Sequence, residues 1–126
     1  MRTAPGCVLI VSAEDTVGEP IRQALLRLGL TGIVTSSAAD AIHRLPQDKP
    51  LAIIVDFELP GTDPIQVVQR ARACRETRGA AVLALAGDDS ADFEALLAGG
   101  CTTVLPRAAD PRDVAYEVAE RLKPAC

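Results

Sequence analysis

The stretch LAIIVDFELPGTDP, residues 51–64, carries the strongest local signals in the chain. Its first five residues are apolar without interruption, which is typical of a parallel strand covered on both faces. The run ends at Asp56, and the Pro and Gly that follow predict a tight turn over residues 59–62. Asp63 and Pro64 are residue types that favour the N-cap and the first position of a helix. We therefore expect Asp56 at the carboxyl end of a central strand, the edge where open α/β sheets bind ligands.

Apolar runs alternate with helical patterns along the rest of the sequence. The predicted strands are residues 7–12, 31–36, 51–55, 80–86 and 102–105. The predicted helices are residues 38–45, 64–74, 91–98 and 112–122, with one more that begins near Pro20 and ends at Gly29. Five strands alternating with five helices through short connections predict a doubly wound parallel α/β sheet. We expect residues 1–126 to form one domain.

Several polar residues and prolines predict where the helices begin and end. Thr16 and Glu19 have capping-box spacing before the first helix, in which Pro20 suits the first turn. Ser37 and Asp110 are predicted N-caps, and Asp110 is followed by Pro111 at the first helical position. Residues 46–50, which begin and end with proline, are predicted as a turn.

Composition excludes several classes of function. The net charge is −4 and there is no basic run, which argues against nucleic acid or an anionic membrane as the main partner. No apolar stretch approaches the length of a membrane span. The four cysteines lack CxxC spacing, which disfavours zinc and suits small buried hydrophobes in a reduced, cytoplasmic setting. Only three residues are aromatic, so we expect a core of Ala, Val, Leu and Ile.

Acidic residues could meet at the edge of the sheet where Asp56 lies. The loop after the first strand should face Asp56, which would bring Glu14, Asp15 and Asp56 together. Carboxylate oxygens suit Mg²⁺, which takes one or two carboxylates and keeps several waters. The other interpretation, which we favour, is that Glu14 and Asp15 are solvated acids at a helix start, where the dipole stabilises negative charge. No cofactor is therefore firmly expected.

The chain resembles the response-regulator receiver domain, the phospho-acceptor module of bacterial two-component signalling. The resemblance rests on VLIV in the first strand, on IIVDFELPGTDP, on Ala98-Gly99 before the fifth strand, and on the Asp-Pro pair that opens the last helix. It implies a flavodoxin-like sheet of order 2-1-3-4-5 with two helices on one face and three on the other. It also implies that Asp56 matches the aspartate that accepts a phosphoryl group from a histidine kinase.

Other positions depart from the pattern of that family. The positions of its two metal-binding acids, its phosphate-binding hydroxyl, its switch aromatic and its lysine hold Ser12, Ala13, Ala86, Thr103 and Pro106. Arg107, one residue beyond the lysine position, could contact a phosphate because a guanidinium matches phosphate geometry. We favour the interpretation of Arg107 as a solvated loop residue.

Two hypotheses of function remain. The favoured one is a pseudo-receiver, a protein-interaction module that binds a histidine kinase or an output domain without phosphorylation. The alternative is a working receiver that is phosphorylated on Asp56 and uses an atypical Mg²⁺ site. A third hypothesis, a small-molecule binder of flavodoxin type, is disfavoured because Gly18 stands alone where a phosphate loop would need several glycines. An enzyme is not expected, because the only histidine, His43, lies on the second helix and no nucleophile–histidine pair is available.

Opposite charges on neighbouring elements could support a weak homodimer. The basic residues lie at the end of the third predicted helix and in the loop after it, and the acidic residues surround the start of the fourth. They are Arg70, Arg72, Arg75 and Arg78 on one side and Asp88, Asp89, Asp92 and Glu94 on the other. The other interpretation, which we favour for the acidic residues, is that these are solvated helix faces.

Overall fold

The computed structural model describes residues 7–59, 63–87 and 93–122. Within them the chain forms one parallel sheet of order β2-β1-β3-β4-β5. The strands are β1 (Cys7–Val11), β2 (Thr31–Thr35), β3 (Ala52–Asp56), β4 (Ala81–Ala86) and β5 (Thr103–Pro106). The helices are α1 (Asp15–Arg27), α2 (Ala38–Asp48), α3 (Ile65–Ala73), α4 (Phe93–Ala98) and α5 (Pro111–Arg121). The predicted doubly wound α/β fold and its flavodoxin-like strand order are confirmed.

The core has two layers, one on each face of the sheet. Alternate residues of β1 divide between them, because successive side chains of a strand point to opposite faces. Val8 and Ile10 pack with α1 and α5, whereas Leu9 and Val11 pack with α2 and α3. Leu96 places α4 against the second layer. Two helices therefore cover one face and three cover the other, as the resemblance implies.

The central strand β3 is shifted by one residue from the prediction. Leu51 precedes the strand and is 47 % exposed, so its assignment to the buried run was wrong. At the other end the strand includes Asp56, which pairs with Leu85 of β4 and is only 1 % exposed. The Asp56 carboxyl group is therefore buried at the carboxyl end of the central strand. Residues 60–62 of the predicted turn lie outside the described residues.

The first helix begins earlier than predicted. It starts at Asp15 with Glu14 as N-cap, so Pro20 lies inside the helix. The predicted capping box is wrong, because Glu19 forms an ion pair with Arg22 instead. Pro20 removes one backbone hydrogen bond, to the carbonyl of Thr16, and Thr16 is an exposed residue whose carbonyl water can reach. Gly29, with φ of +82°, ends the helix as predicted.

The second helix also continues through a proline. Ser37 accepts a hydrogen bond from the Asp40 amide at 3.1 Å, which confirms the predicted N-cap. The helix extends to Asp48, so the turn predicted from Pro46 was wrong over its first three residues. Burial of Leu45 and the Arg44–Asp48 ion pair stabilise this last turn, in which Pro46 removes a single hydrogen bond.

The Asp-Pro pairs cap the third and fifth helices in slightly different ways. Asp63 accepts from the Ile65 amide at 3.2 Å, and the regular helix begins one residue later than predicted. Asp110 accepts from the Arg112 amide at 2.9 Å, with Pro111 as the first helical residue, as predicted. These short-range bonds satisfy amides that a helix start leaves unpaired.

Cys7, Cys74 and Cys101 are free thiols. Burial raises the pKa of the Cys7 and Cys101 thiols, which keeps them in the unreactive protonated form. Cys126 lies outside the described residues. Among the residues described, every helix is too short or too polar to cross a membrane.

Candidate functional site

The candidate site is centred on Asp56, at the carboxyl end of β3. The next residue, Phe57, donates its amide to the Leu85 carbonyl at 2.9 Å, so the backbone around Asp56 stays attached to β4. A carboxylate with so little exposure is stable only if hydrogen bonds and a counter-charge replace the lost water. The groups that surround Asp56 therefore determine what its oxygens can do.

Arg107 supplies the counter-charge. Its Nε donates to Asp56 Oδ1 at 2.7 Å and its Nη2 donates to Asp56 Oδ2 at 3.0 Å. Two parallel bonds between a guanidinium and a carboxylate form the most specific type of charge-assisted pair. The interpretation of Arg107 as a solvated loop residue was therefore wrong, and the Arg107 side chain is only 22 % exposed.

Two further donors complete the surroundings of Asp56. The Glu58 amide donates to Oδ1 at 3.0 Å, and the Ser12 hydroxyl donates to Oδ2 at 2.9 Å. Each oxygen of Asp56 thus accepts two hydrogen bonds, and an ionised carboxylate has about four acceptor positions in all. The acceptor capacity of Asp56 is therefore filled by the protein itself.

The charges of the site keep Asp56 ionised. Burial raises the pKa of Asp56, but the hydrogen bonds from Arg107, the Glu58 amide and Ser12, together with the positive charge, outweigh it and leave this pKa below its usual value. The same hydrogen bonds to Asp56, and a third to Glu14 Oε1 at 2.8 Å, raise the pKa of Arg107. One cation therefore bridges two carboxylates, and the three groups carry a net charge of −1.

The end of β5 directs Arg107 to this position. The Arg107 amide donates to the Ala86 carbonyl at 2.9 Å, which continues the β4–β5 pairing just past Pro106. Asp56 lies two strands away, a distance of roughly 9.5 Å at the usual strand spacing. A long side chain is needed to cover it, and Arg107 crosses the end of β4 to do so.

The residues present do not fit the Mg²⁺ site that the receiver resemblance implies. Glu14 and Asp56 are joined through the Arg107 guanidinium, whereas Asp15 is an exposed residue in the first turn of α1. Within the described ranges, no group of three or more His, Cys, Asp or Glu side chains could hold a metal ion. The cation of the site is a side chain.

The other positions that differ from the receiver pattern lie around Asp56 without replacing the missing groups. Ala86 ends β4 and is buried, and its methyl group cannot donate a hydrogen bond. Thr103 begins β5 and is half-buried, Pro106 ends β5, and Ala13 is exposed. Ser12 is the exception, because it is buried and bonded to Asp56, a role that was not predicted.

The surface proposed for a charge-driven homodimer is only partly described. Asp88, Asp89 and Asp92 lie outside the described residues, and Glu94 is exposed on α4. Arg72 is not a free surface charge, because its guanidinium donates to the carbonyls of Gly100, Arg78 and Ala80 at 2.6–2.9 Å. These contacts, which join α3 to the segments before β4 and β5, were not predicted. His43 is exposed on α2 beside Gln47, away from Asp56, as predicted.

The fold and the position of Asp56 define a receiver-type α/β module, and solved structures agree. A protein described as a response regulator from Chloroflexus aurantiacus is 26 % identical with a TM-score of 0.83, over 92 % of this chain and 96 % of its own. A CheY-like receiver domain protein from Methanospirillum hungatei is 19 % identical with a TM-score of 0.83, over 93 % of each chain. The chemotaxis response regulator CheY4 of Vibrio cholerae is 18 % identical with a TM-score of 0.81, over 94 % of this chain and 98 % of its own.

No family model matches the sequence, and no curated protein matches it. The structural neighbours of this chain are nevertheless response-regulator receiver domains of the CheY-like type. The receiver resemblance is therefore confirmed by the fold, which supports a role in signal transduction.

Proposed function

We propose that this chain is a pseudo-receiver, a signalling module that binds protein partners whether or not phosphate is available. The observation that carries this proposal is the two-bond contact between Arg107 and Asp56. In this arrangement the residue that would accept a phosphoryl group already has its counter-ion, and that counter-ion belongs to the same chain.

The first argument concerns the nucleophile. A carboxylate oxygen attacks phosphorus through a lone pair. Hydrogen bonds from the protein already use the roughly four acceptor positions of the Asp56 carboxylate. Phosphorylation would have to break at least one of these bonds before reaction. The lowered pKa of Asp56 points the same way, because a less basic carboxylate is a weaker nucleophile.

The second argument concerns charge. An incoming phosphoryl group is an anion, and the Glu14–Arg107–Asp56 group already carries a net negative charge. Phosphoryl transfer depends on positioning and on neutralisation of charge, usually by metal ions and fixed cations. Removing one preorganised stabilising donor from an active site typically costs about 3 kcal/mol in the transition state. Here the metal ligands and the hydroxyl of the receiver pattern are both replaced.

The third argument concerns the switch. A modification shifts a conformational equilibrium only through contacts that differ between the two states. The receiver resemblance implies a hydroxyl that moves towards the phosphate and an aromatic that follows it, but those positions hold Ala86 and Thr103. The interaction surface would therefore stay in one state.

The module would act by binding and not by catalysis. Its partners would be proteins, either a histidine kinase or an output domain, in the cytoplasm of a bacterial cell. The net charge of −4 disfavours nucleic acid and anionic membranes as direct partners.

One observation favours the alternative, a receiver phosphorylated on Asp56. Glu14 already shares a cation with Asp56, so a Mg²⁺ ion that displaced Arg107 would find two carboxylates nearby. The displaced guanidinium could then contact the phosphoryl oxygens. Asp15 would have to move to join this site.

A mass measurement separates the two functions. The wild-type chain and Asp56→Asn are incubated with acetyl phosphate and Mg²⁺, and the intact proteins are weighed. We expect no phosphoryl adduct on either, because Arg107 blocks and neutralises Asp56. Asp56→Asn serves as the matched control, since a phosphoryl group on any other carboxylate would appear on both proteins. An adduct on the wild type that is absent from Asp56→Asn would establish the working receiver instead.

A further inference from the structure

The Arg107 guanidinium lies between two carboxylates that come from distant parts of the chain. It donates to both oxygens of Asp56, at 2.7 and 3.0 Å, and to Glu14 Oε1 at 2.8 Å. One nitrogen, Nη2, donates to both acids. An oxygen of each carboxylate therefore lies within 3.0 Å of the same nitrogen, which is how two carboxylates surround a bound cation.

Contacts other than those of Arg107 also hold the two acids beside each other. Asp56 belongs to β3, and the Glu58 amide donates to its Oδ1 at 3.0 Å. The Glu14 amide donates to the Ser12 hydroxyl oxygen at 3.2 Å, and that hydroxyl donates to Asp56 Oδ2 at 2.9 Å. Ser12 thus connects the start of α1 to the end of β3. The loop that carries Glu14 therefore stays beside Asp56 through contacts that do not involve the guanidinium.

The backbone of Arg107 keeps its side chain at this site. The Arg107 amide donates to the Ala86 carbonyl at 2.9 Å, which fixes the residue at the end of β5. A cation that belongs to the chain loses no translational freedom when it pairs with the carboxylates, whereas a free ion must lose it. A free Mg²⁺ ion must also give up water that it holds tightly. The guanidinium therefore has the advantage over a free divalent cation.

A divalent cation and the guanidinium cannot share these carboxylates. Mg²⁺ needs oxygen ligands at about 2.0–2.1 Å in a nearly octahedral arrangement. Each oxygen of Asp56 already accepts two hydrogen bonds, and Glu14 Oε1 accepts one from Arg107. A divalent ion bound to the same oxygens would lie close to the guanidinium, and the two positive charges would repel each other. Binding of one cation therefore requires the departure of the other.

We propose that Arg107 is a built-in replacement for a divalent cation and makes this module independent of Mg²⁺. The wild-type chain keeps its counter-ion, and with it the same stability, whether or not divalent ions are present. Glu14 and Asp56 become a divalent-cation site only when the guanidinium is removed. This inference rests on the proposed function, because it concerns the regulation of the same site, but the two fail on different measurements.

Urea unfolding with and without Mg²⁺ tests this independence. The wild-type folding equilibrium constant should differ by less than about twofold between about 10 mM MgCl₂ and NaCl of the same ionic strength. Arg107→Ala exposes the two carboxylates to solvent ions. With a dissociation constant of roughly 1 mM, as in the weakest oxygen-ligand sites, about 10 mM Mg²⁺ should raise the folding equilibrium constant of Arg107→Ala about tenfold.

Three further variants show which groups are responsible. Arg107→Lys keeps the positive charge, so its stability should stay insensitive to Mg²⁺. Arg107→Ala with Glu14→Gln has lost one of the two carboxylates, so it should lose most of the response to Mg²⁺. Arg107→Ala with Glu94→Gln is the matched control, because Glu94 is an exposed acid on α4, and it should respond as Arg107→Ala does.

Binding of Mn²⁺ gives a readout that does not depend on the stability of a variant. Mn²⁺ broadens the NMR signals of nearby amides, so the Ser12 and Asp56 amides report an ion at this site. We expect no selective broadening of these two signals in the wild type or in Arg107→Lys, and selective broadening in Arg107→Ala. The wild-type titration tests the inference even where Arg107→Ala does not fold.

Two outcomes would overturn the inference. The first is a wild-type chain that Mg²⁺ stabilises as much as it stabilises Arg107→Ala, or whose Ser12 and Asp56 amides Mn²⁺ selectively broadens. The second is a folded Arg107→Ala chain that responds to neither ion. A wild type that binds Mg²⁺ without gaining a phosphoryl adduct would overturn this inference and leave the pseudo-receiver intact. An adduct on Asp56 of a chain that does not respond to Mg²⁺ would overturn the pseudo-receiver alone.

Discussion

Two arginines, one where the strands begin and one where they end, donate hydrogen bonds to very different acceptors. Arg72, near the end of α3, donates to three backbone carbonyls and to the Thr102 hydroxyl at the edge where the strands begin. Arg107, at the edge where the strands end, donates to two carboxylates, Asp56 and Glu14. Arg72 therefore joins neutral groups, whereas Arg107 neutralises negative ones.

This difference predicts different consequences for the loss of each arginine. The contacts of Arg72 connect α3 to the segments that lead into β4 and β5, and none of its acceptors titrates. The contacts of Arg107 occupy both oxygens of Asp56, the carboxylate on which the proposed function depends. Loss of Arg72 should weaken the attachment of α3 where the strands begin. Loss of Arg107 should leave the Asp56 carboxylate buried without a counter-ion where the strands end.

The largest effect is expected for Arg107→Met, which removes the cation and keeps a long apolar stem. Asp56 would become an unpaired carboxylate that is 1 % exposed. Breaking a buried pair by removing one partner typically costs 3–5 kcal/mol, and partial exposure of Arg107 places the expected loss near the lower limit, at about 3 kcal/mol. Urea unfolding at neutral pH measures this loss.

The double variant Asp56→Asn with Arg107→Met is the control. With both charges removed, no ion stays buried without a partner, so the double variant should unfold at higher urea than Arg107→Met alone. A double variant as unstable as the sum of the two single variants would show that the two side chains do not interact.

A smaller effect is expected for Arg72→Met. Several carbonyls lose a charged donor, but those near the surface regain water, so the expected loss is about 2 kcal/mol. Arg75→Met changes an exposed arginine just beyond the end of α3, and it should stay within about 0.5 kcal/mol of the wild type. Equal stability of the two variants would contradict a structural role for Arg72.

Because Arg72 and Asp56 lie at opposite ends of the strands, the losses of unfolding free energy in Arg72→Met and Asp56→Asn should add.

Most of the fold could be predicted because its signals are local. The apolar runs of the strands, the N-caps Ser37 and Asp110, and the terminating Gly29 each depend on residues close in sequence. The prolines were misread because local rules treat them as helix breakers. Pro20 and Pro46 each remove one hydrogen bond, and tertiary burial of Ile21 and Leu45 outweighs that loss.

The candidate site could be predicted only in part. Asp56 was found because it ends an apolar run, and the departures from the receiver pattern were found by position. The Arg107–Asp56 pair joins residues that are 51 positions apart, and no local pattern tells which way an arginine side chain turns. Ser12 was counted as a lost acid, although its hydroxyl donates to Asp56. Both contacts depend on the packing of three strand ends.

The smallest expected effect is the loss of unfolding free energy at acid pH, when Asp56 becomes protonated. The folded pKa of Asp56 lies below its ordinary value of 3.8, so the unfolded chain binds this proton more readily than the folded one. The stabilisation from Asp56 is thus fully present above about pH 4 and is lost as pH falls through the lower folded pKa. The loss should be smaller than that of Arg107→Met, because protonation leaves a neutral carboxyl group and not a buried anion.

The measurement is the difference in unfolding free energy between wild type and Asp56→Asn as a function of pH. This difference should be constant between pH 7 and 5 and should shrink below about pH 4, because only the wild type has the titrating group. The corresponding difference for Arg72→Met should change little over the same range, since its acceptors are carbonyls and a hydroxyl. A flat curve for Asp56→Asn would show that Arg107 does not lower the pKa of Asp56. Such a curve would also contradict the inference that the Arg107 guanidinium already neutralises the Asp56 carboxylate.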